Sequence, residues 1–97
     1  METWYTVDAC SLDECRNETI EFTHSCTTQR QALKRMREAI NATRVLENPA
    51  TNEWKPVKIS RVNIYKDVYD KDGEHTGQWL KQYNDKGQLE KDWGRMC

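Results

Sequence analysis

The sequence predicts an α+β domain in which one amphipathic helix lies on one face of an antiparallel sheet. Two strand-like runs, residues 3–9 and 19–24, precede a stretch with helical periodicity over residues 27–47. Two glycine-containing turn signals then divide residues 57–97 into three more strand-like runs. The predicted order is therefore ββαβββ, and a chain of 97 residues is long enough for a single domain with one core.

Residues 1–26 are expected to form a β-hairpin. The first run is rich in Thr, Trp, Tyr and Val, which favour strands. The second run alternates apolar and polar residues, so Ile20 and Phe22 are predicted to point to the same face of the sheet. The polar, acidic stretch between the two runs predicts a long connecting loop.

Residues 27–47 are expected to form the helix. Thr28 with Gln31 three residues later fits a capping box, in which the two side chains satisfy free backbone amides of the first turn. Residues that recur at spacings of three and four define the face that packs on the sheet: Leu33, Met36, Ala39, Ile40 and Thr43. The proline after Asn48 predicts the end of the helix, because a residue before proline disfavours the helical conformation, and residues 48–56 are expected to be a linker.

Residues 57–97 are expected to form a three-stranded meander. The first strand alternates from Val57, and its apolar phase shifts near Ser60, which predicts a β-bulge there. The tetrapeptides at 70–73 and 84–87 each end in a glycine suited to positive φ, so they predict the two turns. The meander and the first hairpin together supply the strands of the sheet that the helix covers.

An aromatic pattern repeats in the last third of the chain. The spacing Tyr-x3-Gly-x5-Trp begins at Tyr69 and again at Tyr83. One strand plus one short turn has this length, so aromatic side chains are expected to pair across neighbouring strands. Residues 69–93, and Asp72 to Leu89 most closely, resemble the bacterial type of MORN repeat. That resemblance implies a β-hairpin used for packing or protein contact, and it brings no catalytic residues.

The composition excludes several classes of protein. Fifteen basic and sixteen acidic side chains leave a formal charge of −1, which excludes a globally basic nucleic-acid binder. The mean hydropathy is −1.04, and no apolar run approaches the roughly 20 residues that a bilayer-spanning helix needs. Residues 1–5 lack the features of a secretory signal, so we expect cytoplasmic localisation and no membrane partner.

No motif in the sequence predicts catalysis. There are two histidines, His24 and His75, and no glycine-rich phosphate loop, nucleophile elbow or paired-histidine motif. We therefore expect no enzymatic activity, and we assign no catalytic residue and no cofactor.

The helix carries the first candidate binding surface. Basic residues at helical spacing share the side opposite the apolar one: Arg30, Lys34, Arg37 and Arg44. A basic surface of this kind attracts phosphate groups or an acidic protein surface. The alternative is a solvated polar face, which is common on the helices of globular proteins.

The sheet carries the second candidate surface. Neighbouring residues of a strand point to opposite faces, so one helix leaves some of the large apolar and aromatic side chains uncovered. The candidates for partner binding are Tyr65, Trp79, Leu80, Tyr83 and Trp93. An exposed apolar patch marks a protein-binding surface or a homodimer interface. The alternative is that the linker or the N-terminal arm folds over it.

The cysteines suggest an alternative metal site. Thiolates and imidazoles are the ligands that tetrahedral zinc prefers. The residues that would supply them are Cys10, Cys15, His24 and Cys26. Their spacing departs from the two-residue separation of common zinc knuckles, which favours free thiols, and a zinc-stapled interaction module is the alternative.

The sequence as a whole predicts a small non-enzymatic protein that binds another macromolecule and blocks or bridges it. Its size, hydrophilic composition and β/α order resemble those of accessory proteins encoded by phages and mobile elements, including anti-CRISPR inhibitors of bacterial defence. The resemblance implies a bacterial host or defence protein as partner, encountered in the host cytosol. Nucleic-acid binding through the basic side of the helix is the alternative function.

Overall fold

The computed structural model describes residues 2–95, except for the side chains of Trp79 and of residues 93–95. In chain order its elements are β1 (Glu2–Leu12), β2 (Glu18–Cys26), α1 (Gln29–Ile40), β3 (Arg44–Asn48), β4 (Glu53–Pro56), β5 (Arg61–Tyr69), β6 (His75–Asn84) and β7 (Leu89–Arg95). The prediction of an α+β fold with a mostly antiparallel sheet and one helix is confirmed for this range.

Five strands form one antiparallel sheet in the order β2-β1-β5-β6-β7. β1 is enclosed between β2 and β5, and it pairs with β5 from Glu2 to Cys10. β5, β6 and β7 follow one another as a meander, and β5 begins at Arg61 rather than at the expected Val57. α1 lies over β1, β2 and β5. We name this side of the sheet the covered face and the other side the open face.

A bulge in β2 changes the orientation of one strand residue. Phe22 pairs with Ala9. The register then shifts so that Ile20 pairs with Cys10, and Glu21 becomes the extra residue. Phe22 packs against the core under α1, whereas Ile20 is 55% exposed. The prediction that these two side chains share a face is wrong, because a bulge interrupts the alternation of side chains along a strand.

α1 begins at the predicted cap and ends earlier than expected. The Thr28 hydroxyl accepts a hydrogen bond from the Gln31 amide at 3.1 Å, which satisfies one free donor of the first turn. The helix ends at Ile40, where the Asn41 side chain donates to the Arg37 carbonyl at 3.0 Å. This side-chain contact caps the last turn, and α1 is only 12 residues long.

Residues 44–56 form a separate two-stranded sheet, the β3–β4 hairpin. Its strands are antiparallel, and Leu46 pairs with Trp54. The predicted helix up to residue 47 and the predicted linker over residues 48–56 are wrong here. Pairing between an aliphatic and an aromatic side chain on facing strands stabilises the hairpin, and the helical spacing of apolar residues does not reveal a cross-strand pair of this kind.

The core lies between α1 and the covered face. Its buried side chains are Val7, Ala9, Cys26, Ala32, Met36, Ala39, Ile59, Val62, Ile64 and Tyr83. The turn between β6 and β7 approaches the end of α1, because a Cβ added at Gly87 would lie 3.1 Å from Ile40 Cδ1. Gly87 also has a φ of +78°, so glycine serves both the turn conformation and the close approach.

The centre of the open face is polar and buried. Asp8, Asn63 and Gln82 lie side by side on β1, β5 and β6, and none is more than 9% exposed. Asp8 accepts a hydrogen bond from Thr23 Oγ1 at 2.8 Å. The side-chain amide of Gln82 donates to Asn63 at 3.1 Å, and that of Asn63 donates to Glu18 at 2.9 Å. These bonds satisfy most of the buried polar atoms, although Gln82 Oε1 has no hydrogen-bond partner, so the centre of this face is a polar network rather than an apolar patch.

Candidate functional site

A groove lies on the covered face between α1 and the strands β5 and β6. It has a volume of about 180 Å³. Its apolar floor consists of Tyr5, Leu33, Ile64 and Tyr83, and its polar rim of Gln29, Lys66 and Lys81. The groove exists because α1 packs over β1, β2 and β5 and leaves the β6 side of the sheet only partly covered.

Strand alternation places the floor and the rim together. Ile64 and Lys66 are two residues apart on β5, and Lys81 and Tyr83 are two residues apart on β6, so each pair shares one face. Ile64 pairs directly with Lys81. Ile64 and Tyr83 are 7% and 8% exposed, whereas the longer lysine side chains extend from the same face to the rim.

The groove has a basic rim. Lys66 and Lys81 lie on the strand side, and Lys81 Nζ lies 4.0 Å from Asp92 Oδ2. Burial raises the pKa of the Tyr83 phenol, Asp92 raises it further, and Arg37 lowers it. Arg37 is exposed on α1, four residues after the groove residue Leu33, so it lies on the helix side of the groove.

Three of the four predicted helix bases form one exposed surface. Arg30, Lys34 and Arg37 are exposed, and none forms an ion pair with an acidic residue within the described part of the chain. Arg44 is not on the helix. It begins β3, and its guanidinium carbon lies 4.9 Å from the centre of the Trp54 ring. The predicted four-residue stripe is therefore wrong, because the cap at the end of α1 redirects the chain before Arg44.

The predicted sheet residues lie on different faces. Tyr65 and Leu80 are cross-strand partners on the open face, and both are half-buried. Burial raises the pKa of the Tyr65 phenol, and nearby carboxylates raise it further. Tyr83 lies on the covered face and lines the groove. The side chains of Trp79 and Trp93 lie outside the described residues.

The alternative zinc ligands are not brought together. Cys10 is buried toward the open face, and its thiol donates to the Asp8 carbonyl at 3.6 Å. Burial, with a contribution from Glu18, raises the pKa of this thiol to about 12, which opposes formation of the thiolate that zinc requires. Cys26 lies in the core under α1 and Cys15 is exposed.

His24 completes the four predicted ligands, and its ring packs edge-on against Phe22 at 5.5 Å. Phe22 belongs to the covered face, whereas Cys10 faces the open side. No group of three or more His, Cys, Asp or Glu side chains placed to hold a metal occurs among residues 2–95. The proposed zinc set therefore does not converge on one point in this fold.

Part of the groove was not apparent from the sequence-based assignment of sites. Tyr5, Leu33, Lys66 and Lys81 are not among the predicted binding residues. The sequence does contain a signal for the two lysines. Lys66 lies two positions after Ile64 on β5, and Lys81 lies two positions before Tyr83 on β6. A lysine that shares a strand face with core residues marks the place where the covering layer ends.

Comparison with protein-family models, curated proteins and solved structures found no match for this chain. In the described residues, no helix has the length and apolar character needed to cross a membrane.

Proposed function

We propose that this chain is a non-enzymatic protein-binding module whose groove receives an acidic, extended segment of a partner protein. The supporting observation is an apolar floor and a basic rim at one site. An apolar side chain of the partner enters between Leu33 and Tyr83, and neighbouring carboxylates lie beside Lys66 and Lys81. The floor supplies affinity by burying apolar surface, and the rim supplies selectivity for charge.

The size of the groove favours a peptide anchor over a small-molecule ligand. Its volume of about 180 Å³ is below the roughly 300–1,000 Å³ typical of small-molecule and cofactor pockets. One large apolar side chain is a better match for this space. The rest of the bound segment lies along the rim, where its backbone stays accessible to water.

The positive charges around the groove favour a partner segment with acidic side chains. Lys66 and Lys81 line the sheet side of the groove, and exposed Arg30 and Arg37 stand three residues before and four residues after the groove residue Leu33 on α1. Asp92 neutralises part of this charge through its contact with Lys81. Several bases around one groove produce a positive potential, which speeds association with acidic segments and disfavours basic ones.

Occlusion is the mode of action that we propose. By binding an acidic segment, a rigid module of this size covers the part of the partner's surface to which that segment belongs. A module with a second binding surface also bridges two proteins. We propose a bacterial host or defence protein in the cytosol as the partner, because the size, composition and β/α order resemble those of phage-encoded inhibitors. Catalysis has no part in this function.

A peptide-binding measurement tests the proposal. The probe is a fluorescein-labelled peptide with one phenylalanine between glutamates, and the readout is fluorescence polarisation. We expect saturable binding that weakens as salt is added, since salt screens the rim charges. The same peptide with alanine in place of phenylalanine, and a peptide with lysines in place of the glutamates, should bind at least about tenfold more weakly.

A matched pair of variants assigns the binding to the groove. Lys66→Gln with Lys81→Gln removes two rim charges, which is expected to weaken peptide binding by about tenfold, since each exposed charge contact contributes up to about 1 kcal/mol. Lys58→Gln with Lys71→Gln removes the same charge from exposed positions outside the groove and should leave binding unchanged. Equal losses in the two variants would contradict the groove as the site.

Nucleic-acid binding is the second candidate, supported by the exposed bases of α1. Arg30, Lys34 and Arg37 form no ion pair with a described acidic residue, so they are accessible to phosphates. The test is the binding of labelled single-stranded and duplex DNA at low salt. A strongly salt-dependent affinity that is lost when all three bases are changed to glutamate would support this candidate over the peptide groove.

A further inference from the structure

A second cavity lies outside the groove, between the end of β2 and the first turns of α1. It is an open cleft of about 370 Å³, and it shares no lining residue with the groove. Its volume falls within the roughly 300–1,000 Å³ typical of small-molecule sites. The residues that line the cleft are Ser25, Cys26, Gln31, Lys34 and Arg35.

The connection between strand and helix places these side chains around one space. Lys34 and Arg35 follow Gln31 by three and four residues, so the three lie on the same side of α1. Ser25 and Cys26 are the last two residues of β2, and two threonines link them to the helix. Cys26 is only 5% exposed and forms the floor, whereas the other lining residues are exposed and form the walls.

Hydrogen bonds to Thr27 fix the orientation of the Gln31 side chain. Gln31 Oε1 accepts from both the backbone amide and the hydroxyl of Thr27, each at 3.1 Å. A backbone N–H can only donate, so the end of the amide that faces Thr27 is the oxygen. The other end, Nε2, is a donor that makes no hydrogen bond within the part of the chain that the structure describes. It is therefore available to an acceptor in the cleft.

The cleft is also positively charged. Lys34 and Arg35 are exposed, and none of the described acidic residues lines the cleft. Glu38 lies beside it and engages one end of the Arg35 guanidinium, with 3.1 Å between Oε2 and Nη1. The Lys34 ammonium forms no ion pair with a described acidic residue. With the Ser25 hydroxyl and Gln31 Nε2, these cations form a set of donors that suits an anion with several acceptor oxygens.

From this donor set we propose that the cleft binds a small molecule through a phosphate monoester group. Such a group carries a charge of about −1.5 to −2 at pH 7 and three acceptor oxygens. Lys34 and Arg35 supply the opposite charge, and Gln31 and Ser25 supply further hydrogen bonds. The rest of the cleft holds the organic part of the molecule. A carboxylate has a single charge and two oxygens, so it leaves part of the donor set unused. The site is separate from the peptide groove and does not depend on it.

Two-dimensional ¹H–¹⁵N NMR of the full chain, titrated with adenosine monophosphate at constant ionic strength, tests the site. We expect saturable shifts of the Gln31, Lys34 and Arg35 backbone amides, with those of Lys66 and Lys81 in the groove unchanged. Adenosine, which lacks the phosphate, should give no saturable shift. Inorganic phosphate should bind more weakly than adenosine monophosphate, because it fills less of the cleft.

A matched pair of double variants assigns the binding to the cleft. Lys34→Gln with Arg35→Gln removes both cleft charges and is expected to raise the dissociation constant of adenosine monophosphate by at least about tenfold. Arg30→Gln with Arg37→Gln removes the same charge from exposed positions of α1 that do not line the cleft. This control should keep the dissociation constant within about twofold, since salt screens the more distant charges. All four side chains are exposed, so circular dichroism of both variants should match that of the wild type.

Several results would overturn the proposal. No saturable shift at millimolar adenosine monophosphate, shifts equal to those with adenosine, or equal losses in the two double variants would each contradict a phosphate site in the cleft. Inorganic phosphate that binds as tightly as adenosine monophosphate would overturn the organic ligand in favour of a free phosphate ion. Single-stranded DNA binding that is lost in the control variant, with no binding of adenosine monophosphate, would favour the nucleic-acid surface of α1 instead.

Discussion

Replacing Gly87 with alanine tests the contact between the β6–β7 turn and the end of α1. Gly87 has a φ of +78°, and an added Cβ would lie 3.1 Å from Ile40 Cδ1 and 3.8 Å from Met36 Sδ. This contact holds the end of β6 against α1, and β6 is the strand that carries Tyr83 of the groove. Gly73 is the matched control, because its φ is +84° and no heavy atom lies within 4 Å of an added Cβ.

The structure sets the expected size of the two effects. A left-handed backbone costs a residue other than glycine about 1–2 kcal/mol, and this cost applies to both variants. At Gly87 the close contact with Ile40 adds an overpacking cost of about 1–3 kcal/mol. We therefore expect Gly73→Ala to lower the free energy of unfolding by about 1–2 kcal/mol and Gly87→Ala by about 2–5 kcal/mol.

Urea and thermal unfolding measure this difference. Circular dichroism follows the transitions, and about 1 kcal/mol corresponds to a change in Tm of roughly 4–8 °C for a domain of this size. The Gly87→Ala variant should therefore have the clearly lower Tm of the two. Equal losses, or a larger loss for Gly73→Ala, would refute a rigid contact between this turn and the Ile40 side chain.

Three further variants, and Arg35→Ala as a control, test the core, the helix cap and the buried thiol. Met36→Ala should lower the free energy of unfolding by about 2–5 kcal/mol, whereas Arg35→Ala, at an exposed ion pair, should change it by less than about 1 kcal/mol in urea titrations. Thr28→Ala should cost about 1 kcal/mol in the same assay, because it removes the N-cap hydrogen bond. Burial raises the pKa of the Cys10 thiol from 9.0 to about 12, so its contribution to stability is complete below pH 9.0 and is lost as pH rises toward 12. Cys10→Ala should therefore show a smaller fall of the urea midpoint over that range than the wild type, and exposed Cys15 should react with a thiol reagent well before Cys10 does.

The sequence predicts the elements that depend on neighbouring residues. The α1 cap follows from Thr28 and Gln31, three positions apart, and the turns of the meander follow from the short motifs that end in Gly73 and Gly87. The end of α1 is less predictable. The helical spacing of apolar residues continues past Ile40 in the sequence. The structure that replaces the helix there is the β3–β4 hairpin, whose cross-strand pairs are not visible in the spacing of neighbouring residues.

The groove is less predictable than the strands that build it. Its existence depends on the lateral position of α1, which is set by packing against β1, β2 and β5 rather than by the sequence of α1 alone. The same holds for the open face, where a buried network of Asp8, Asn63 and Gln82 lies beside Tyr65 and Leu80. Its residues are ordinary polar positions in the sequence, and only the strand order brings them side by side.

Methyl NMR of the protein titrated with the acidic phenylalanine peptide tests whether the peptide binds in the groove. Leu33 and Ile64 lie on the groove floor, whereas Ile20 is exposed on β2 and Leu80 lies on the open face. We predict saturable shifts of the Leu33 and Ile64 methyl signals with Ile20 and Leu80 unchanged. Shifts confined to Ile20 or Leu80, or no shift at saturating peptide, would contradict binding in the groove.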